Sequence, residues 1–388
     1  MKTIKAYKYR IYPNATQKVV LDKSFGCARF YWNTLVAELN SYSNEHTPVY
    51  KSASQIRSEF TWMQEVSCSM LQQRRIDFDR VRNQYFNKNR KTKLGRIKFK
   101  RKNENQSFRM NNQNFALLDN KLKVTKLGYI KISIDRRPPE NAKYLSVTIS
   151  KNNLNEYYAS VCFEYEHEPK IKQTTKNVGC DLGIASLLTL SDGLQFANPK
   201  IFRENQSELR RLQQHLSKKR KGSSRHNKCR IKVAKLYKKM TRQREWLLHN
   251  ISKYVVTNYN EIALEDLSIS SMRKRYRMNK QFRRALEDAS MTKLKNYIWY
   301  KQQEYGIHAR FIPRYTASSK ECYECENVQK IAMREREFIC TSCGTVRDRD
   351  LNAALVIQRK ALGRISPSIQ TLSDIKSLHP LVVITQLQ

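Results

Sequence analysis

Between Tyr7 and Ile11 apolar and basic residues alternate, with Tyr7, Tyr9 and Ile11 on one side and Lys8 and Arg10 on the other. A period of two predicts a strand. Pro13 and Asn14 interrupt it. Leu21, Phe25, Ala28, Trp32, Leu35 and Leu39 then recur at steps of three and four, the stripe of an amphipathic helix. A second helical stretch sets Leu71, Phe78, Val81 and Tyr85 among Arg74, Arg75, Arg80 and Arg82. Residues 13–92 therefore read as a helical insert with one basic side. From about residue 93 the period returns to two: residues 129–134, 145–150 and 157–165 read as strands, with turns at Pro138 and Pro139 and at Asn152 and Asn153. The expectation is a small β-barrel over 93–175 that the first strand, within 1–12, would complete.

A new pattern opens at "NVGCDLGIASLLTLSDGLQFA", residues 177–197: strand, strand, a Ser-Asp-Gly turn, strand. A long basic helical region follows over 204–257, with Leu209, Leu212, Leu216, Val233, Leu236, Met240, Leu247, Ile251 and Val255 at helical spacing. Gly222 interrupts it and predicts a helical hairpin. Residues 261–269 read as a buried strand, 289–306 as a helix and 307–315 as a strand. Strands and helices thus alternate from 177 to 315, the signature of an α/β domain. The chain as a whole is expected to be α+β and multidomain; at 388 residues it has room for two or three separately cored domains.

Charge sharpens the picture. Lys and Arg outnumber Asp and Glu by 74 to 34, a formal net charge of +40. Such an excess repels itself unless an anion neutralises it. Nucleic acid is the partner whose phosphates would do so, with a membrane surface as the bland competitor. No apolar run approaches the roughly 20 residues of a membrane-spanning helix, and the first 13 residues lack the apolar stretch of a signal peptide. The expectation is a cytoplasmic protein, in prokaryotic cytosol or nucleoid, with no membrane partner. Arg74, Arg75, Lys98, Lys100, Lys218, Lys219 and Arg220 are candidate phosphate contacts, and a solvated surface charge is an equally good account of each.

Cysteine spacing points to metal. Of nine cysteines, Cys27, Cys68, Cys162, Cys180 and Cys229 are scattered and read as small buried hydrophobes. Cys322, Cys325, Cys340 and Cys343 form two CxxC pairs fourteen residues apart, the ligand set of one tetrahedral, structural Zn²⁺. Its binding would supply folding free energy to a segment too small for a core of its own.

Three acids stand out by their settings. In "VGCDLGI", Asp181 shares a strand face with Gly179 and Gly183. An unpaired carboxylate inside a sheet is costly, and the glycines leave room for something to approach closely. A metal ion beside a phosphate backbone would account for both, as would a salt bridge to a lysine of the basic helices. In "IALEDL", Glu265 shares its face with Ala263. In "DRDLNAA", Asp348 or Asp350 opens an apolar helix, where an Asp can simply cap backbone N–H groups. Gathered together, three such acids would hold each other's protons unless cations bound; two Mg²⁺ roughly 4 Å apart would relieve them and serve phosphodiester cleavage. There is no P-loop, GxSxG or HExxH to support an ATPase, serine hydrolase or zinc protease.

Taken in order, "YKYRIYPNATQ", "FGCARFYWN", "NQSFR", "VGCDLGI", "IALEDLSI", the four cysteines and "DRDLNAA" resemble the TnpB (OrfB) family, the transposon-encoded RNA-guided DNA endonucleases related to type V CRISPR effectors. The similarity runs from Met1 to about Leu362. It implies a β-barrel wedge domain (1–12 and 93–175), a helical recognition domain (13–92), an RNase H-like RuvC nuclease domain (176–320 and 348–365) and an inserted zinc ribbon (321–347). It carries Asp181, Glu265 and Asp350 onto the three catalytic, Mg²⁺-holding positions, with Asp348 the lesser choice. It implies a transposon-derived guide RNA, a double-stranded DNA target beside a short flanking motif, and one protein monomer per RNA. The alternatives are an RNA-guided repressor that does not cut, and a DNA transposase or its accessory. Two features depart from the family. Glu326 stands where a knuckle glycine is usual, although such turns favour positive φ. The tail, 366–388, matches nothing in the family and reads either as an edge strand or as unstructured.

Overall fold

The structure is a computed structural model that describes residues 2–42, 47–87, 89, 95–102, 105–168, 174–267, 280–314, 316–332, 335–363 and 384–386. The chain divides into two compact units, Met1–Glu168 and Pro169–Gln388.

In the first unit β1 (Lys2–Tyr12) leads into α1 (Ala15–Asn40), followed by α2 (Ala53–Glu59) and α3 (Cys68–Phe86). Six further strands follow: β2 (Gln106–Asn111), β3 (Phe115–Leu117), β4 (Lys121–Val124), β5 (Gly128–Ser133), β6 (Lys143–Lys151) and β7 (Tyr157–Glu166). All pair antiparallel in the order β2-β6-β7-β1-β5-β4-β3. The first strand thus lies in the middle of the sheet. The edges β2 and β3 make no ladder with each other, so the expected barrel is not sealed by hydrogen bonds. They are, however, consecutive in the chain, joined only by the 3₁₀ turn Asn112–Asn114, and that short link forces the sheet to roll until its edges meet.

The helices grow from local signals. Asn14 and Gln17 form a reciprocal capping box at the start of α1, and the Gln17 amide also donates to the carbonyls of Leu127 and Tyr129 beside β5. The α1 stripe is buried as its period requires, Leu21, Phe25, Ala28, Trp32 and Leu35 all facing inward. Phe25 meets Phe108 of β2 at 5.3 Å, and one continuous apolar core runs through helices and sheet alike. The helical stretch therefore does not close a core of its own; it completes the core of the sheet.

The second unit is built on β8 (Asn177–Asp181), β9 (Ser186–Leu190) and β10 (Leu194–Ala197), an antiparallel meander turned at Ser191, Asp192 and Gly193. After the turn α4 (Ile201–Glu204) come α5 (Gln206–Ser217) and α6 (Ser224–Asn258), parted at Gly222 (φ 86°), with Ser223 capping α6. Then β11 (Glu261–Glu265), α7 (Lys280–Ala289), α8 (Met291–Tyr305) and β12 (His308–Ile312) follow. Strand β11 lies parallel to β8 and β12 parallel to β11. The hairpin β13 (Glu337–Ile339) and β14 (Val346–Asp348) runs directly into α9 (Arg349–Leu362). In the tail, β15 (Ile384–Gln386) adds to β10 as an antiparallel edge, which decides between the two expectations for those three residues. The remainder of the tail lies outside the described residues.

The sheet order is β12-β11-β8-β9-β10-β15. Val178, Cys180, Ile262 and Leu264 pack on one face with Leu247, Ile251 and Val255 of α6 and Leu294 and Ile298 of α8. On the other face Ala263 and Ile312 meet Ile357 of α9. Of the scattered cysteines, Cys27 and Cys180 are buried, whereas Cys68, Cys162 and Cys229 are only partly so. Among the described residues no helix is long and apolar enough to cross a membrane.

Candidate active site and metal centre

The glycines around Asp181 have a structural reason that differs from the expected phosphate. A Cβ on Gly179 would collide with the carbonyl oxygen of Ala354 and lie 2.8 Å from Cβ and the backbone N of Gln358. What approaches Gly179 is helix α9. Gly183 is required by a turn instead, since a Cβ there would stand 2.8 Å from the Ser186 carbonyl oxygen. Ala263 is small for the same reason as Gly179: it lies under Ile357.

That packing decides where the acids go. The Gln358 amide donates to the Asn177 carbonyl (3.2 Å) while Ala354, a turn earlier in the helix, lies against Gly179 further along the strand, so α9 runs antiparallel to β8 with its C-terminal part over the strand's start. Eight residues of helix advance about 12 Å and four of strand about 13 Å. Asp350, eight residues before Gln358, therefore comes level with Asp181, four residues after Asn177. On the neighbouring strand the parallel register pairs Ala263 with Gly179 and Leu264 with Cys180, which brings Glu265 level with Asp181 one strand spacing away, about 4.8 Å. Three elements thus bring three carboxylates to one end of the sheet.

The electrostatics agree. Burial pushes the Asp181 carboxyl up to about 8, helped by the charges of Asp350 and Glu265 and opposed by the Arg349 guanidinium and the Leu182 N–H. Part of Asp181 is still open to solvent, so it is a deeply set group with a mouth rather than a sealed one. Burial also raises Glu265, against a hydrogen bond from the buried Ser318 hydroxyl, and Asp266 adds to the rise. Asp266 itself is a different kind of acid: Lys295 holds it below the usual carboxylate range, with Arg314 bonded to it at 2.8 Å. Of the two aspartates in "DRD", Asp348 is the N-cap of α9, accepting from the N–H groups of Asp350 and Leu351 at 2.9 Å each. Asp350 instead faces the cluster, with Arg349 at 3.5 Å and Arg336 at 3.8 Å. Ser318, Arg336 and Arg349 were invisible as site residues in the sequence, because nothing in their local pattern distinguishes them.

The four cysteines form a second donor set. Their sulfur atoms all lie within 4.8 Å of one another, the only such group of three or more His, Cys, Asp or Glu side chains among the described residues. The three carboxylates are more widely spread than that. In the first knuckle the Glu326 N–H donates to the Cys322 carbonyl (3.1 Å), and in the second the Gly344 N–H donates to the Cys340 carbonyl (3.0 Å). Glu326 and Gly344 occupy the same place in their turns, with φ of 66° and 73°. The departure at Glu326 therefore leaves the turn intact and is met by backbone strain. Hydrogen bonds from Thr345 draw the Cys343 thiol down to about 6, and the Cys343 N–H lowers Cys340, while burial pushes Cys322 up to about 11. A dication at the centre is what would bring all four to the thiolate. The donor set and its mutual distances fit Zn²⁺.

The seven candidate phosphate contacts separate by burial. Arg74 is not a surface cation: it is 6 % exposed, with its guanidinium on the Ser107 carbonyl and near Asp77. Arg75 is bound to Asp79 (2.9 Å) and the Tyr50 carbonyl (2.9 Å). Lys100 lies over the Trp32 ring at 4.1 Å. Lys98, Lys218 and Arg220 are exposed and Lys219 partly so, the last three in the connection between α5 and α6.

An α/β domain that gathers acids beneath one helix, with a cysteine ribbon feeding that helix, narrows the class of protein, and the relatives narrow it further. Residues 160–276 match the family profile described as "Probable transposase", 292–357 one described as "Cas12f1-like, TNB domain", and 1–47 one described as "Helix-turn-helix domain". In that last span the described residues form a strand and a single long helix. A protein of Streptomyces pristinaespiralis named "Putative RNA-guided DNA endonuclease" is 33% identical over 360 residues, 90% of this chain and 87% of that one. The Escherichia coli (strain K12) protein named "Putative RNA-guided DNA endonuclease InsQ" is 26% identical over 374 residues, 91% of each. Among solved structures, the complex of Cas12f1 with sgRNA and target DNA matches with a TM-score of 0.46 and 14% identity, covering 92% of this chain and 98% of that one. The chain belongs to the TnpB (OrfB) family.

Proposed function

We propose that this protein is a transposon-associated RNA-guided DNA endonuclease that hydrolyses its target through divalent cations held by Asp181, Glu265 and Asp350. The observation that carries the reading is the convergence of these three acids, from β8, β11 and α9, in a chain of net charge +40. The strand order supports an RNase H-like core. Numbered within the unit and leaving aside the edge strand β15, the sheet reads 3-2-1-4-5, with the first three strands antiparallel and the last two parallel to the first.

Within this site the residues have distinct tasks. The buried, acid-rich setting of Asp181 raises its carboxyl to about 8, and a cation held there would favour the ionised form. Ser318 fixes the Glu265 carboxylate. Asp348 caps the helix and leaves Asp350 to face inward, and Arg336 and Arg349 offer positive charge where a scissile phosphate would enter. Two Mg²⁺ bound here would supply a polarised phosphoryl oxygen and an activated water. Oxygen donors alone, as found here, suit Mg²⁺ rather than a softer ion. The rolled sheet and helices of residues 1–168 serve as wedge and recognition parts for the guide RNA and the DNA flanking motif, with one protein per RNA. Lys218, Lys219 and Arg220 are phosphate contacts.

The test is a cleavage assay with Mg²⁺ and the RNA that copurifies with the protein. The wild-type protein cuts DNA matching that RNA, whereas Asp181→Ala binds the RNA and the target but does not cut. Full cleavage by Asp181→Ala would end the carboxylate reading. Binding without cutting by the wild-type protein would make it a repressor, and DNA joining without RNA would make it a transposase.

A further inference from the structure

The cysteine ribbon and the helix carrying Asp350 are joined at both ends of that helix. One link is covalent: β14 passes into α9 at Asp348 with no loop between. Another is a buried polar lock between α9 and the first knuckle. Arg359, 9 % exposed, donates to the Tyr323 carbonyl and to the Glu321 carboxylate, with the Cys322 carbonyl at 3.4 Å. Asn352, with no exposed surface, takes the Tyr323 N–H on its Oδ1 (3.1 Å) and donates its amide to the Glu321 carbonyl (2.7 Å). Lys360 completes the neutralisation of Glu321 at 2.7 Å.

This arrangement does more than attach a small ribbon. The carbonyls that Arg359 reads belong to a metal ligand and to the residue after it. Their direction is set by the knuckle turn, and the turn is set by where the Cys322 and Cys325 sulfurs are held. Asn352 is two residues from Asp350, in the first turn of the same helix, while Gln358 fixes the far end on β8. A shift of the knuckle must either leave a buried guanidinium and amide without partners, which is strongly destabilising, or drag α9 along β8 and Asp350 away from Asp181.

Building on the carboxylate site proposed above, we infer that Arg359 and Asn352 are positioning residues that transmit the folded, metal-filled knuckle to Asp350, so that the four-thiolate site and the carboxylate site bind their metals with positive linkage. Linkage is reciprocal: each metal strengthens the other by the same factor.

The experiment uses the full-length protein and Mn²⁺ as the probe, titrated by electron paramagnetic resonance. Five samples are compared: zinc-loaded wild type, wild type stripped by a chelator that is then removed, and zinc-loaded Arg359→Ala, Glu321→Gln and Asp181→Asn. The expected result is a Kd for Mn²⁺ at least about tenfold weaker, ~1.4 kcal/mol, in the stripped wild type and in Arg359→Ala while the latter still holds one zinc. Mn²⁺ tightens the zinc Kd, read by equilibrium competition with a chromophoric chelator, by the same factor in the wild type, and not in Arg359→Ala. Should Arg359→Ala fail to fold, Glu321→Gln, which keeps the side-chain shape, shows the same weakening. A merely structural lock would lower the melting temperature and leave the Mn²⁺ Kd unchanged. Affinity within twofold of wild type in both the stripped protein and the folded, zinc-bearing lock variant, with Asp181→Asn unable to bind, overturns the linkage and spares the carboxylate site. Undiminished Mn²⁺ binding by Asp181→Asn overturns the carboxylate site, and the linkage with it.

Discussion

At the scale of single residues, two side chains sit in conditions their type does not favour, and both allow measurement. Glu326 holds a left-handed backbone with φ of 66°, where its knuckle counterpart is Gly344. A side chain in that region costs roughly 1 kcal/mol or more, and the Glu326 carboxylate recovers little, since its contact to Arg359 at 3.4 Å is largely solvated. Glu326→Gly is expected to stabilise the zinc-loaded protein by roughly 1 kcal/mol, read as a higher melting temperature; a lower one would show that the Arg359 contact outweighs the strain. Asp181 has its carboxyl at about 8 rather than the ordinary 3.8. The folded state holds this proton more tightly than the unfolded chain does. The stability it contributes is therefore full below about pH 4 and lost as pH rises to about 8. Melts without added Mg²⁺ should show the wild type losing ground to Asp181→Asn across that window. Added Mg²⁺ should restore the wild type alone.

At the scale of elements, α9 is the piece on which the site depends. It lies on a groove made by Gly179 and Ala263, and its antiparallel course over β8 brings Asp350 to Asp181. Gly179→Ala is expected to push a helix backbone rather than a flexible side chain, costing about 1–3 kcal/mol or more and abolishing cleavage while copurifying RNA stays bound. Calorimetry and a filter-binding assay would separate the two effects. A variant with normal cleavage would mean that α9 can shift without moving Asp350. The same element shows why some of the site was legible in sequence. Asp181, Glu265 and Asp350 each carry a local mark: an acid beside glycines, an acid beside alanine, an acid at a helix start. Ser318, Arg336, Arg349, Arg359 and Asn352 carry none, because what they do depends on segments distant in the chain.

At the scale of the whole molecule, the net charge of +40 governs binding. With about 6–10 phosphates neutralised, affinity for nucleic acid should fall by about 10³–10⁵ between 50 and 200 mM salt. Replacing Lys218, Lys219 and Arg220 together by alanine should reduce the slope of that dependence by about three. An unchanged slope would remove the connection between α5 and α6 from the interface. Arg74 and Arg75 warn against counting basic residues by sequence alone, since one is buried and the other is held by Asp79 and a carbonyl.

The sequence by itself marked most of the longer elements, the cysteine donor set and the candidate acids, with Asp348 and Asp350 left as alternatives, because periodicity, capping residues and close ligand spacing are local properties that neighbouring residues impose on one another. Only the tertiary structure decided the rest. It placed the first strand at the centre of a sheet rolled by a three-residue link, and it merged the helices and that sheet into one core. It made Asp348 the cap and Asp350 the inward acid, and it filled the space above Gly179 with a helix. These outcomes depend on register and on contacts between segments far apart in the chain, such as Gln358 on Asn177, 181 residues away. No local pattern contains that information.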